Sequence, residues 1–270
     1  MDPVVIELGP LTLRAYNAWL LGGALVGLGI IGWRARRVDP GRAVRWLDVA
    51  LVALVAAVIG ARGLGVALDG DRFATSPHEI VRLSLGGMAW HGAPLAGLPA
   101  ALIAAWLRGV PFRAWTDAAA LAWPPGMIAA WAGCRDAGCG AGYEVATLAG
   151  WPGWLVAELP DAYGFVAPRL DVQSAGMLFG GALWALAALL TWRGWLRGLR
   201  LWLLLGLSGL GLAVLGFLRA DYAPVLLDRR ADQVFDLALL LVSAVIGGVL
   251  WLRDRRKGRS AGGGLRGPLA

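Results

Sequence analysis

The sequence predicts an all-α polytopic membrane protein of seven transmembrane helices, with its N-terminus outside, its C-terminus cytoplasmic and a small extracytoplasmic insert after the fourth span. Three observations carry this expectation. Apolar runs of roughly 20 residues, the length that crosses a bilayer, recur along the chain. Of the 270 residues, 58% are hydrophobic and only 16% charged, where ordinary soluble domains carry about 25% charged residues. The basic residues are spread unevenly over the loops between the runs, as the positive-inside bias of membrane proteins requires.

Taken in order, residues 1–14 read as two short extended pieces joined at Gly9-Pro10, a small arm on the membrane surface. Met1-Asp2-Pro3 lacks the basic start of a cleaved leader, so the first span, residues 15–33, is expected to be retained. Span two covers 47–68 and a polar loop 69–85. Span three, 88–107, closes on Arg108 and Arg113. In span four, 114–133, Pro124-Pro125-Gly126 predicts a break in the helix. Residues 134–173 form the longest polar insert. Tyr143, Trp151, Trp154 and Tyr163 among its prolines and glycines predict a folded, partly interfacial segment. Spans five to seven follow at 174–192, 199–219 and 233–252. Residues 1–252 thus read as one membrane domain, and 253–270 as a basic, then Gly-rich cytoplasmic tail expected to be disordered.

Orientation follows from the arginines. The first loop, the loops after spans three and five, and the tail hold Arg34, Arg36, Arg37, Arg42, Arg45, Arg108, Arg113, Arg193, Arg197, Arg200 and the 253–259 cluster. The opposite loops hold Arg72, Arg82, Arg135, Arg169, Arg219, Arg229 and Arg230. The imbalance, roughly two to one, makes the first set cytoplasmic. The formal net charge of +7 would suggest a nucleic-acid partner in a soluble protein. Here it anchors spans, so no nucleic-acid partner is expected. Cys134 and Cys139 cannot define a metal site by themselves. They fall on the outer side, where a disulfide is allowed.

Ionisable groups are costly inside a span and are functional candidates by default. His91 lies about five residues inside span three, roughly 8 Å at the helical rise, between Gly86-Gly87 and Gly92. Alone, it reads equally well as a packing residue bonded to a neighbouring helix. Other spans, however, place polar groups at the same depth: Tyr16 and Asn17, Arg62, Arg135 and Asp136, Gln173, Arg219, Gln233 and Asp236. Asp48 and Asp117, in the first turns of their spans at the opposite end, read as partners of the helix N-terminus. Asp236 admits the same explanation, and Arg219 that of an interfacial anchor. Arg62 sits well inside an apolar run. A buried guanidinium and a histidine at outer-leaflet depth suit an anionic phosphate ester and a proton transfer.

At these residues the chain resembles the bacterial prolipoprotein diacylglyceryl transferase family. Gly86-Gly87-Met88-Ala89-Trp90-His91-Gly92-Ala93 resembles the family's Gly-Gly-Met-Ser-Phe-His-Gly-Gly motif, and Gly60-Ala61-Arg62 its Gly-Gly-Arg. Arg14-Ala15-Tyr16-Asn17 is similar to the start of its first span. The run from Gly133-Cys134-Arg135 to Gly142 resembles its Gly-Cys-Ala-Gly-Cys-Cys-Tyr-Gly variant. Arg169 through Gln173 is similar to its Arg-His-Pro-Ser-Gln, and Gln233 to its Gly-Gln at the last span. The resemblance implies transfer of a diacylglyceryl group from phosphatidylglycerol to a prolipoprotein cysteine at the outer leaflet of the bacterial inner membrane, releasing glycerol phosphate. It implies His91 as general base or proton carrier near the thiol, Arg62 holding the phosphate or the headgroup oxygens, and Tyr16 orienting the lipid. Arg135, Gln173, Arg219 and Gln233 become substrate-binding residues. The implied partners are phosphatidylglycerol, other membrane lipids and the lipobox peptide, with no metal or organic cofactor.

Two positions depart from the family. Its arginine before the Gly-Cys is Trp131 here, and its arginine in span six aligns with Leu212, with Ser208 at the preceding tyrosine. These departures favour a second reading, a lipid-handling protein that keeps the fold with lost or altered transfer. A small-solute transporter is a third. The nearly apolar inner half argues against it, because alternating access needs a polar path to both sides.

Overall fold

In the computed structural model, residues 4–8, 11–83 and 86–262 are described. The chain is mostly helical: α1 (Ala15–Val38), α2 (Ala43–Leu68), the short α3 (Gly70–Thr75), α4 (Gly92–Arg108), α5 (Phe112–Ala137), α6 (Val172–Arg193), α7 (Arg200–Gly216) and α8 (Ala231–Gly262). Three small antiparallel hairpins accompany them: β1–β2 (Val4–Leu8, Leu11–Arg14), β3–β4 (Val156–Pro160, Val166–Leu170) and β5–β6 (Val225–Leu226, Arg229–Arg230). The seven long helices fall on the seven apolar runs. Among the described residues, four stretches are long and apolar enough to cross a membrane: α1, residues Pro40–Leu68 around α2, α6, and Ala231–Arg256 of α8. α4 and α7 are apolar but shorter. At 17 residues each, they extend about 25 Å against a hydrocarbon core of about 30 Å.

Small residues set the closest packing. A Cβ on Gly60 of α2 would stand 2.3 Å from the Gly92 carbonyl oxygen and 2.5 Å from the Ala96 Cβ. One on Gly92 would stand 2.1 Å from the Gly60 carbonyl oxygen. The two backbones therefore touch where only hydrogen fits, the close approach that small residues permit between apolar helices. α1 meets α5 similarly at Gly23 and Ala129, and at Tyr16 and Gly133. One buried cluster joins α1, α2, α4 and α5 through Ile31, Trp46, Val49, Ala101, Ala105 and Trp115. The Trp115 indole donates to the Trp46 carbonyl at 3.2 Å. A second joins α5, α6 and α7 through Leu121, Trp131, Leu183, Leu201, Leu204 and Leu205. Gly92→Ala is expected to cost on the order of 3 kcal/mol by forcing α2 and α4 apart. Gly63→Ala, whose Cβ would meet nothing within 4 Å, is the control. Equal thermal melting of the two variants in detergent would refute the contact.

Several elements differ from the sequence expectation: α1 runs on to Val38, α2 starts at Ala43 and α5 ends at Ala137. α4 starts at Gly92 rather than near 88, because Gly86 and Gly87 adopt φ of +74° and +73°, a left-handed path that ends a helix rather than opening one. The Ala89 N–H instead donates to the Ala61 carbonyl on α2 at 2.9 Å. α5 continues without interruption through Pro124 and Pro125. Both prolines are buried, and packing on its two flanks holds the helical path that the lost N–H bonds no longer secure. α7 ends at Gly216, ahead of Arg219. α8 carries helix beyond 252 to Gly262, so the first part of the expected tail is ordered. The Gly9-Pro10 joint and residues 263–270 lie outside the described residues.

The loops are pinned to the bundle. At one end of the bundle, the Gly198 N–H donates to Asp117 Oδ2 at 2.7 Å, and Arg200 approaches the same oxygen at 3.8 Å. Asp117 thus holds the α6–α7 turn rather than its own helix end. Asp48 pairs with Arg108 at 3.3 Å. At the opposite end, the Ala220 N–H donates to the Ala141 carbonyl at 2.8 Å and the Tyr143 N–H to Leu218 at 3.1 Å, tying the insert to the end of α7. The insert's hairpin turns on Asp161. The Phe165 N–H, then that of Tyr163, hold its carboxyl below the ordinary carboxylate range.

Candidate active site

His91 is the residue just ahead of α4, placed there by the left-handed glycine pair and the backbone contact with α2. Its ring is 8% exposed. Trp90 lies 4.0 Å away and Phe235 of α8 5.4 Å, centroid to centroid. Nε2 is 2.8 Å from Oδ1 of Asp236, itself 3% exposed. The pair joins the start of α4 to the second turn of α8. The sequence places Asp236 with the polar groups at this depth and equally allows a helix-end carboxylate. Asp232 already accepts the Gln233 N–H at that end, and Asp236 lies a full turn deeper, which is the signal that separates the two.

Two apolar cavities flank α4. One of about 610 Å³ has His91 in its wall with Leu64, Pro94, Leu98, Trp202, Phe235 and Ser243, between α4 and the α7–α8 pair. The other, about 390 Å³, lies between α1, α2, α4 and α5, lined by Gly27, Ala53, Ala57, Gly97 and Trp123. Pro94, Leu98 and Leu205 border both. The arrangement offers a single titratable ring beside a space sized for hydrocarbon.

The other expected site residues are held by protein partners. Arg62 is 5% exposed and gives its guanidinium to backbone carbonyls. Nε donates to Ile80 at 2.9 Å and Nη1 to Gly87 at 3.0 Å and to Gly86. Nη2 donates to Arg82 at 3.3 Å and to Glu79. It lies 4.8 Å from the Phe73 ring centroid. Arg62 therefore clamps the loop that leads into His91, and the structure pairs His91 with Asp236 instead. Tyr16 packs against Gly133 in the first turn of α1. Arg135 binds Asp171 Oδ2 at 2.6 Å and the Ser174 hydroxyl, and Asp171 caps α6. Gln173 donates to the Cys139 carbonyl at 3.0 Å, and Gln233 to that of Ala213 at 3.1 Å. Arg219 joins Asp221 at 2.6 Å and Asp232 at 3.0 Å in a four-membered cluster with Arg230.

Comparison with known proteins decides what this arrangement belongs to. The sequence pattern of the prolipoprotein diacylglyceryl transferase family matches residues 3–251. The chain belongs to that family. Similar proteins include the phosphatidylglycerol–prolipoprotein diacylglyceryl transferases of Synechococcus elongatus, 33% identical over 117 residues, 43% of this chain and 39% of the relative; of Bacillus velezensis, 30% identical over 123 residues, 44% of each chain; and of Beijerinckia indica, 32% identical over 139 residues, 47% of this chain and 49% of the relative. The match thus spans about two fifths to one half of the length of these curated relatives. The helices and the family together make this a multi-pass membrane protein.

Within the diacylglyceryl transferase family, this chain fills two expected arginine positions with packing. Trp131 is buried against α6, where a Cβ on Gly176 would fall 2.4 Å from the indole. Leu212 packs on the same apolar cluster, and Ser208 accepts the Trp123 indole N–H at 3.1 Å. Cys134 and Cys139 form a disulfide that closes the Gly-rich turn at the end of α5, where Gln173 grips the Cys139 carbonyl. Replacing both cysteines with serine is expected to lower stability by roughly 2 kcal/mol, given so short a loop. Equal thermal melting of the wild type and the double variant in detergent would refute this.

Proposed function

We propose that this protein transfers the diacylglyceryl group of phosphatidylglycerol to the cysteine thiol of a prolipoprotein lipobox, at the outer leaflet of a bacterial cytoplasmic membrane. The proposed arrangement has seven crossings, the N-terminus outside and the C-terminus inside. The family match over residues 3–251 carries this reading, and the activity named for its relatives suggests the substrates. His91 supports it from the chemical side, as a proton acceptor in the wall of an apolar cavity. In this scheme the thiol gives its proton to His91 and sulfur bonds to the terminal glyceryl carbon. The carbon–oxygen bond to phosphate breaks, and glycerol phosphate leaves with the electron pair. The two apolar cavities suit the acyl chains, and Tyr16, Arg135, Gln173, Arg219 and Gln233 frame the outer end.

The test is purified protein with phosphatidylglycerol and a labelled lipobox peptide. Peptide lipidation with equimolar glycerol phosphate is expected. A second reading, a lipid-handling protein with altered transfer, is favoured by Trp131 and Leu212 in the apolar cluster and by the engaged guanidinium groups of Arg62, Arg135 and Arg219. Lipid binding without peptide modification would select it.

A further inference from the structure

Asp236 is a carboxylate with little to do in the fold. The start of α8 is served by Asp232, and the cations nearest that end, Arg219 and Arg230, are shared between Asp221 and Asp232. That cluster balances itself, two charges of each sign. Asp236 is nevertheless buried, where a carboxylate needs a partner, and the hydrogen bond the structure gives it is the one with His91 Nε2 at 2.8 Å. Its backbone is fixed as well: a Cβ on Gly209 of α7 would stand 2.4 Å from the Asp236 carbonyl oxygen, so α7 sets the position of α8 at this residue.

We infer that Asp236 is a positioning residue that fixes the tautomer of His91 and balances the charge the ring acquires, an inference that rests on the transfer reading above. A carboxylate only accepts, so Nε2 carries the hydrogen of this bond and Nδ1 presents its lone pair. Among the described residues Nδ1 has no hydrogen-bond partner. It is the ring atom left for the incoming thiol proton. Once that proton arrives, the imidazolium and Asp236 form an ion pair away from bulk water, which lowers the energy of the charge-separated state while sulfur attacks carbon. Trp90 and Phe235 limit rotation of the ring on either side.

The experiment uses full-length protein labelled with [15N]histidine. The chain has two histidines, and His78 lies in the exposed loop as an internal reference. In mildly alkaline buffer, His91 is expected as the Nε2–H tautomer in the wild type and in Asp236→Glu. In Asp236→Leu, which removes the acceptor and keeps the branching at Cγ, mixed tautomers are expected. In parallel, Asp236→Leu should lower kcat at least about 100-fold, with KM for lipid and peptide within about threefold, and Asp236→Glu should recover part of kcat. A wild-type His91 in the Nδ1–H form overturns the inference even if the leucine variant fails to fold. So does an Asp236→Leu protein with wild-type kcat and tautomer. A wild type with the Nε2–H tautomer but no transfer would instead sink the transfer reading and leave the pairing standing.

Discussion

His91→Gln is expected to remove transfer from phosphatidylglycerol to a lipobox peptide while leaving the protein folded. Glutamine can still donate an amide N–H toward Asp236, so the buried carboxylate keeps its hydrogen bond, and the melting free energy should move by no more than about 1 kcal/mol. The amide has no basic nitrogen, however, and cannot take the thiol proton. Loss of a positioned general base costs on the order of 100- to 10,000-fold, here a rate indistinguishable from background. The measurement is initial rate of peptide lipidation, with thermal melting as the control. A glutamine variant within tenfold of wild type would remove His91 from the chemistry.

The second large effect belongs to Arg62, and it is an effect on structure. Its guanidinium holds carbonyls of Glu79, Ile80, Arg82, Gly86 and Gly87, so Arg62→Ala strands several buried acceptors at once. Charge-assisted bonds of this kind are worth about 1.5–3 kcal/mol each. Losing two net bonds costs roughly 3 kcal/mol or more. Protease cleavage within residues 76–87 and a lowered melting temperature are expected, and transfer should fail along with them because the same loop delivers His91. A stable Arg62→Ala protein with a raised KM for anionic lipid alone would restore Arg62 to the headgroup.

The seven long helices were legible because hydropathy reports which stretches avoid water. What hydropathy cannot report is the local backbone path. Met88 and Ala89 are apolar enough to extend a helix, yet the φ of Gly86 and Gly87 diverts the chain onto α2 first. Pro124 and Pro125 carry a local penalty that tertiary packing outweighs, so the break expected there does not occur. Depth along a span is likewise readable, and Arg62 is buried as its apolar surroundings suggested. The direction of its guanidinium depends on where the 76–87 loop folds, which no spacing encodes. Asp236 was visible in the sequence. Its partner lies 145 residues away, and tertiary packing brings the start of α4 and the second turn of α8 together.

The contact between Gly60 and Gly92 has a mechanical consequence. With backbones that close, α2, the 86–91 segment and α4 behave as one stiff panel, and no hinge fits inside it. The space beside His91 lies between this panel and the α7–α8 pair. The boundary between those two bodies runs directly through the 2.8 Å bond from His91 to Asp236. One bond thus joins the two sides of the cavity at the ring it is proposed to align.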